Sequence, residues 1–125
     1  MANPNLLAAT TASGTTTYYT PGGTTAVVLV TNAASSGQVF KINQIVAANV
    51  DGTNAVNTTV SINSAAAGGG TAYPIVSTVS VPANASLIVT DKTTAIYLMD
   101  NQSIVVTSGT ASKIAYTISY ESIAS

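Results

Sequence analysis

Short hydrophobic runs, separated by turn-forming residues, follow one another from residue 25 onward at the spacing typical of an all-β domain. The clearest run is Ala55–Asn63, in which Val56, Thr58, Val60 and Ile62 occupy one face and polar residues occupy the other. Alternation with this period predicts a strand that is buried on one face and wet on the other.

The remaining strands are predicted from apolar content and from β-branched residues. They are Ala26–Val30, Gln38–Val50, Tyr73–Val81, Leu87–Thr90, Ala95–Met99, Gln102–Thr107 and Lys113–Tyr120. About eight strands without a convincing helix are buried most economically as two packed antiparallel sheets. The pattern therefore predicts an all-β antiparallel β-sandwich. It leaves the jelly-roll and immunoglobulin-like topologies open, because turns do not encode strand order.

Several local signals predict how the strands are connected. Asp51–Gly52 is a favoured dipeptide for a type I′ hairpin turn, and Ser108–Gly109 predicts the turn of a closing hairpin. The apolar set changes phase between Ile42 and Ile45, which predicts a β-bulge or a bend. The glycine run Gly68–Gly70 lacks a following lysine and helix, so it predicts a flexible loop and not a phosphate-binding site.

Residues 1–23 differ from the rest of the chain, because they sustain neither a helical nor a strand period. We therefore predict an extended N-terminal arm over residues 1–23 and a β-sandwich domain over residues 24–125. Two apolar clusters of the arm, Leu6 with Leu7 and Tyr18 with Tyr19, have no core of their own to enter. Aromatic and aliphatic residues of this kind are typical interface anchors, so we favour an arm that docks on a partner over one that packs on the chain's own sandwich.

Composition argues against catalysis. The chain has three lysines, four acidic residues and no Arg, His, Cys or Trp, while 46% of it is hydrophobic. Most enzyme mechanisms and transition-metal sites depend on the residue types that are missing. We therefore predict a protein that is not an enzyme and has no cofactor, no metal, and no catalytic residues. A net charge of −1 also excludes nucleic acid as a partner, and no polybasic or amphipathic segment predicts membrane binding.

The few candidate sites have simpler explanations. Asp91 and Asp100 flank one predicted strand, so their carboxyl groups are expected roughly 20 Å apart, too far to share a proton. Asp51 could join neighbouring asparagines in a weak calcium site, but local hydrogen bonds of a turn explain it better. Tyr73 and Tyr97 are the spare aromatic residues that a carbohydrate-binding platform would need.

Four segments carry a resemblance to a known class of proteins. Met1–Thr10, Val39–Asn43, Val46–Thr53 and Pro82–Val89 resemble small virion structural proteins of tailed phages, particularly phages that infect cyanobacteria. The resemblance implies a β-sandwich that decorates a capsid or belongs to the neck, tail or fibre. It offers no catalytic motif. An N-terminus without a signal-peptide pattern agrees with assembly in the host cytoplasm and a location in the virion.

These observations predict a non-enzymatic capsid decoration or cement protein that stabilises the assembled shell. Its expected partners are the major capsid protein or other virion proteins, and we expect it to be a homo-oligomer, with a trimer favoured. Leu6, Leu7, Tyr18 and Tyr19 are the predicted interface residues. Two alternatives stay open: a tail, neck or fibre component, and a module that binds glycans on a host surface.

Overall fold

A computed structural model describes residues 4–124 of the chain as two packed antiparallel sheets. Their strands are β1 (Thr11–Tyr19), β2 (Val27–Asn32), β3 (Gln38–Asn49), β4 (Val56–Asn63), β5 (Ala72–Val81), β6 (Ser86–Thr90), β7 (Ile96–Leu98), β8 (Gln102–Ser108) and β9 (Ile114–Ala124). The only helical pieces in this part of the chain are two short 3₁₀ turns, Leu6–Ala8 and Lys92–Thr94. The predicted all-β antiparallel sandwich is confirmed, with nine strands in place of about eight.

The strand order identifies the topology. Sheet I has the order β1-β9-β3-β6, with β7 also paired to β3, and sheet II has the order β2-β8-β4-β5. The pairs are nested along the chain: β4 with β5, β3 with β6, β2 with β8, and β1 with β9. A long ribbon of nested pairs that is wrapped into two sheets is a jelly roll. Of the two topologies that the sequence left open, the structure therefore has the jelly roll.

Two predicted hairpins are wrong for the same reason. Asp51–Gly52 connects β3 to β4, and Ser108–Gly109 lies between β8 and β9, but each connection crosses from one sheet to the other. Turn dipeptides report local backbone preference and carry no information on which sheet receives the next strand. The type I′ conformation is also wrong, because neither Asp51 nor Gly52 has a positive φ. Asp51 forms a side-chain turn instead, in which its Oδ1 accepts hydrogen bonds from the backbone N–H groups of Thr53 (2.8 Å) and Asn54 (3.1 Å).

The core lies between the sheets and is almost entirely aliphatic. Buried side chains from both sheets meet there, and they include Val30, Phe40, Ile42, Ile45, Val56, Val60, Val81, Leu98, Ile104, Val106, Ile114 and Ile118. Phe40 stacks on Tyr120 with ring centroids 4.8 Å apart. The predicted bulge of β3 is confirmed, because the register with β9 shifts between Ile42 and Gln44. This shift lets both Ile42 and Ile45 point into the core.

The predicted alternation of β4 holds along the whole strand, but the face that was predicted to be wet is partly covered. Val56, Thr58 and Val60 are buried as predicted, but Ser61 and Asn63 are also buried and Ile62 is only partly so. The side chains do not change face after Val60, because the register of β4 with β8 is unbroken and Ile62, opposite Ile104, still packs against the core. Beyond this point the outer face of sheet II is covered by the loop that follows β4.

That loop is folded onto the sheet and is not the free glycine-rich loop that the sequence predicted. Ser103 Oγ donates to the carbonyl of Ala65 (2.8 Å), and Thr31 Oγ1 donates to the carbonyl of Ala66 (3.0 Å). Gly68 has a φ of +80° and lies so close to β2 that an added Cβ would stand 2.9 Å from Val28 Cγ2. The run of glycines therefore allows close packing on β2 and β8.

Three buried asparagines end three strands: Asn32 ends β2, Asn49 ends β3 and Asn63 ends β4. Each side-chain amide donates to two backbone carbonyls. The acceptors are Gln38 and Leu98 for Asn32, Asn54 and Val81 for Asn49, and Gly68 and Gly70 for Asn63. The side-chain oxygens accept in return, so that the loops leaving these strands are fixed by neutral hydrogen bonds.

Tyr116 connects the sheets. It is fully buried on β9, and its hydroxyl donates to the carbonyl of Thr107 (3.0 Å) on β8 while it is also hydrogen-bonded to Thr58 Oγ1 on β4. Burial raises the pKa of this hydroxyl above its usual value of 10.0. Tyr116 is therefore a core residue whose hydroxyl is hydrogen-bonded within the protein.

We expect Gly68→Ala to lower the free energy of unfolding by about 1–3 kcal/mol, because a Cβ is strained at positive φ and crowds Val28. Urea unfolding followed by circular dichroism measures the change. Gly69→Ala is the matched control, since a Cβ added there meets nothing within 4 Å. Equal stability of the two variants would contradict the packed loop.

We expect Tyr116→Phe to lower the free energy of unfolding by about 1 kcal/mol. The loss stays small because Thr58 Oγ1 also reaches the Thr107 carbonyl, at 3.5 Å, without the tyrosine. The same urea experiment tests this change, with Tyr97→Phe on the surface as its control. A larger loss for the surface variant than for the buried one would show that the inter-sheet hydrogen bond is not stabilising.

Candidate interaction surface

Strand β1 lies within the segment that the sequence predicted to be an arm. It pairs with β9 along its whole length, from Thr11 opposite Ala124 to Tyr19 opposite Tyr116. Only Thr17 is even partly buried, so β1 is held by backbone hydrogen bonds and not by burial of side chains. The prediction that residues 1–23 sustain no strand is therefore wrong for residues 11–19. The division of the chain at residue 23 stays a prediction, and Met1–Asn3 lie outside the described residues.

The two leucines of the predicted interface lie in a 3₁₀ turn just before β1. The turn begins after Asn5, whose Oδ1 accepts a hydrogen bond from the N–H of Leu7 (3.0 Å). Leu6 lines a groove of about 270 Å³ whose other walls are Pro4, Val39, Tyr97 and Met99. Leu7 is 99% exposed. One leucine of the pair thus faces the chain's own sandwich and the other faces solvent.

The two tyrosines lie at the far end of β1. Tyr18 is 77% exposed on the outer face of sheet I, where it is in register with Thr117 of β9 and Val46 of β3. Tyr19 is half-exposed and points to the other face, opposite Tyr116. Seven strand residues of β1 precede Tyr18 and separate the tyrosines from the turn that holds the leucines, a length of roughly 23 Å. The four predicted interface residues therefore form two separate contact points along one edge.

The outer face of sheet I also carries apolar residues that the sequence analysis did not assign to an interface. Ala12, Ile123 and Val39 form a row across β1, β9 and β3, and Tyr97 and Met99 lie exposed beside Val39. We call these five residues, together with Leu6, the apolar band. The signal that could have found it is the outward position of Val39 in the alternation of β3.

A polar cavity of about 510 Å³ lies near the middle of the same face. Its walls are Asn43, Gln44, Asp91, Lys92, Thr93 and Ser119. The side-chain oxygen of Asn43 is buried there, and none of residues 4–124 gives it a hydrogen bond. Sequence reasoning missed this cavity, although the predicted bulge of β3 is what turns Asn43 and Gln44 toward it. The cavity suits a small molecule that donates hydrogen bonds, such as water.

The carboxylates near this face have structural roles. Asp91 Oδ1 accepts hydrogen bonds from both the N–H (2.9 Å) and the hydroxyl (2.5 Å) of Thr93, and these bonds hold the pKa of the carboxyl below 3.8. Asp100 follows the other end of β7, as predicted. Within residues 4–124 no three acidic residues lie close enough together to hold a metal ion. The local-turn interpretation of Asp51 is supported, because hydrogen bonds from Thr53 and Asn54 lower its pKa too.

The two tyrosines considered for carbohydrate binding lie on different sheets. Tyr73 is on β5 of sheet II and Tyr97 is on β7 of sheet I. A stacking platform needs aromatic and polar groups that converge on one pocket. The geometry gives the glycan-binding alternative no such platform from this pair.

No helix within residues 4–124 has the length and apolar character required to cross a bilayer.

The comparisons with known proteins identify the fold and no family. No protein-family model and no curated sequence matches the chain. Among solved structures, the chain is similar to a subunit of Bacillus endospore appendages, described as a novel family of disulfide-linked pili. The identity is 17%, the TM-score is 0.51, and the match covers 100% of this chain and 96% of that one. This chain has no cysteine with which to form such a link.

A second similar structure is that of infectious bursal disease virus, Gt strain. The identity is 7%, the TM-score is 0.42, and the match covers 91% of this chain and 31% of that one. Identities this low indicate a shared fold only, and the second score is too low to support any argument.

We expect acid to destabilise the protein through Asp51 and Asp91. Both pKa values are lower in the folded state than in the unfolded chain, so this stabilisation is present above the unfolded value of about 3.8 and is lost as the pH falls through the folded values. Thermal unfolding between pH 7 and pH 2 should show a steeper drop below about pH 4 for the wild type than for the double variant Asp51→Asn, Asp91→Asn. Parallel profiles would contradict this assignment.

Proposed function

We propose that this chain is a non-enzymatic structural protein of a tailed-phage virion, in which it decorates the outer shell of the capsid. The observation that carries the proposal is the apolar band on sheet I with the exposed Leu7 beside it. Apolar side chains gathered on one face of a water-exposed sheet are typical of a surface that another protein covers. The assignment to a phage rests on the sequence resemblance described above.

The surface chemistry agrees with packing and not with turnover. The polar residues of the outer strand faces are mostly Thr, Ser, Asn and Gln, which hydrogen-bond to a partner without a charge that must be desolvated. The carboxylates Asp51 and Asp91 are occupied by local backbone hydrogen bonds. A protein of this kind stabilises a shell by mass action, because it binds the assembled capsid and not the free subunits.

The same surface would serve a tail, neck or fibre component, which is the second candidate function. The observation that favours it is the outer edge of β1, which no strand within residues 4–124 covers, since an open strand edge can add a further subunit to a sheet. Copy number separates the two candidates. A decoration protein occurs in numbers comparable to the major capsid protein, whereas a tail component occurs in a few copies per virion.

The proposal predicts that quantitative mass spectrometry of purified virions finds this chain at a copy number close to that of the major capsid protein. In a rebinding assay on virions stripped of the chain, Leu7→Ser should weaken attachment about tenfold, because burial of one leucine side chain is worth about 1.5–3 kcal/mol. Leu7 is fully exposed, so its replacement should leave the fold unchanged.

Val50→Ser is the matched control, since Val50 is an exposed apolar residue outside the apolar band. A point substitution is preferable to removal of residues 1–23, because that removal would also delete β1 and open the edge of β9. Absence of the chain from purified virions would refute the proposal, and a copy number of only a few would favour the tail.

A further inference from the structure

The geometry points to an edge-to-edge contact between two copies of this chain, in which β1 pairs antiparallel with β1 of the second copy across a two-fold axis. No strand within residues 4–124 pairs with the outer edge of β1, because β1 is the last strand of the order β1-β9-β3-β6. An open edge presents unpaired N–H and C=O groups that another strand can satisfy. This inference goes beyond the proposed function, since it concerns the chain alone in solution.

The other edges of the two sheets are protected against such pairing. Strand β5 contains Pro74 and has Thr78 at a φ of +51°, and its register with β4 shifts twice. Strand β2 is interrupted by a bulge between Val28 and Val30. The edge of sheet I opposite β1 consists of β6 and β7, which have five and three residues. Bulges, proline and short length are the usual devices that prevent edge pairing.

Strand β1 has none of these devices. Its nine residues, TASGTTTYY, include no charged residue and no proline, and they pair with β9 without a shift in register. A second copy therefore meets no like charge along the edge. Since single charged residues are enough to protect an edge, their absence from the longest regular edge of the molecule favours pairing there.

The segment that follows β1 is fixed, which keeps β1 on its own sheet. Pro21 is buried, and its carbonyl accepts a hydrogen bond from the N–H of Ser112 (2.9 Å) in the loop before β9. Thr16 Oγ1 is also hydrogen-bonded to Ser119 Oγ (2.9 Å). These contacts oppose an exchange of β1 between copies. The surface available to a second copy is therefore the outer edge of β1 and not the edge of β9.

Full overlap of the two strands defines their register. Antiparallel pairing of residues 11–19 with their own copies places Thr15 on the two-fold axis and Tyr18 of each copy opposite Ala12 of the other. Tyr18 and Ala12 lie on the outer face, and Ala12 belongs to the row that continues through Ile123 to Val39. Tyr18 of each copy would thus extend the apolar band of the other, which gives the most exposed tyrosine of the chain a partner.

A contact of this kind is self-complementary and closed, so it yields a dimer. The resemblance to virion proteins favoured a trimer, and the two expectations differ in a measurable mass. Sedimentation equilibrium of the purified chain should show a reversible equilibrium between monomer and dimer. Thr15→Lys brings two ammonium groups together on the axis and should weaken this equilibrium about fivefold. Ser80→Lys on the protected edge strand β5 is the matched control and should have no effect.

Cysteine cross-linking tests the register, because the chain has no cysteine of its own. Residues directly opposite in an antiparallel pair have Cβ atoms close enough for a disulfide. Under mild oxidation, Thr15→Cys should form a covalent dimer, and Ser80→Cys should stay monomeric. A mixture of Ala12→Cys and Tyr18→Cys chains should form the mixed dimer in preference to either homodimer.

Four results would overturn the inference: a monomer at every concentration, a trimer, equal cross-linking of Thr15→Cys and Ser80→Cys, or dimers that Thr15→Lys does not weaken. Because these measurements use the purified chain, they are independent of whether the chain is found in virions. A dimer that is absent from virions would refute the proposed function alone.

Discussion

Closure of the loops by buried asparagines is the constraint on which this jelly roll depends. Connections that cross from one sheet to the other leave backbone groups at the strand ends that water cannot reach, and each unpaired group is costly. Asn32 and Asn49 stand at two of these ends, and Asn63 stands where the long loop between β4 and β5 leaves sheet II. All three pair their amides with carbonyls of the loops and of neighbouring strands. A neutral amide is suited to this task, because it donates and accepts at once without the desolvation cost of a charge.

The use of neutral polar groups in place of charges describes both the interior and the surface of the protein. The sheets are joined by an aliphatic core and by one buried tyrosine whose hydroxyl finds its partners in the opposite sheet. With few charges available, the polar face of each sheet consists mainly of hydroxyl and amide side chains. Such faces give little electrostatic repulsion between molecules. The neutral surface and the apolar band therefore both favour association.

The sequence predicted those parts of the fold that follow from the hydrophobic pattern of a single strand. The alternation from Val56 to Val60 and the phase change between Ile42 and Ile45 are local, and the structure has both. The jelly-roll order and the sheet-crossing loop at Asp51–Gly52 could not be read in this way, because they depend on partners far along the chain. Burial of Ser61 and Asn63 was invisible for a related reason: the loop over residues 64–71 covers a face that would otherwise be wet.

Strand β1 shows why the candidate interface was only half predictable. Leu6, Leu7, Tyr18 and Tyr19 were predicted as anchors from their apolar character. The strand that ends with the two tyrosines was not predicted, because side chains that bury nothing leave no hydrophobic period. A strand of this kind forms when a partner edge supplies the hydrogen bonds, and β9 is that edge inside the chain. Backbone pairing does not discriminate between the two sides of a strand. Strand β1 is hard to recognise in the sequence because it is held by backbone pairing alone. The same kind of pairing is available to a second strand on its outer edge.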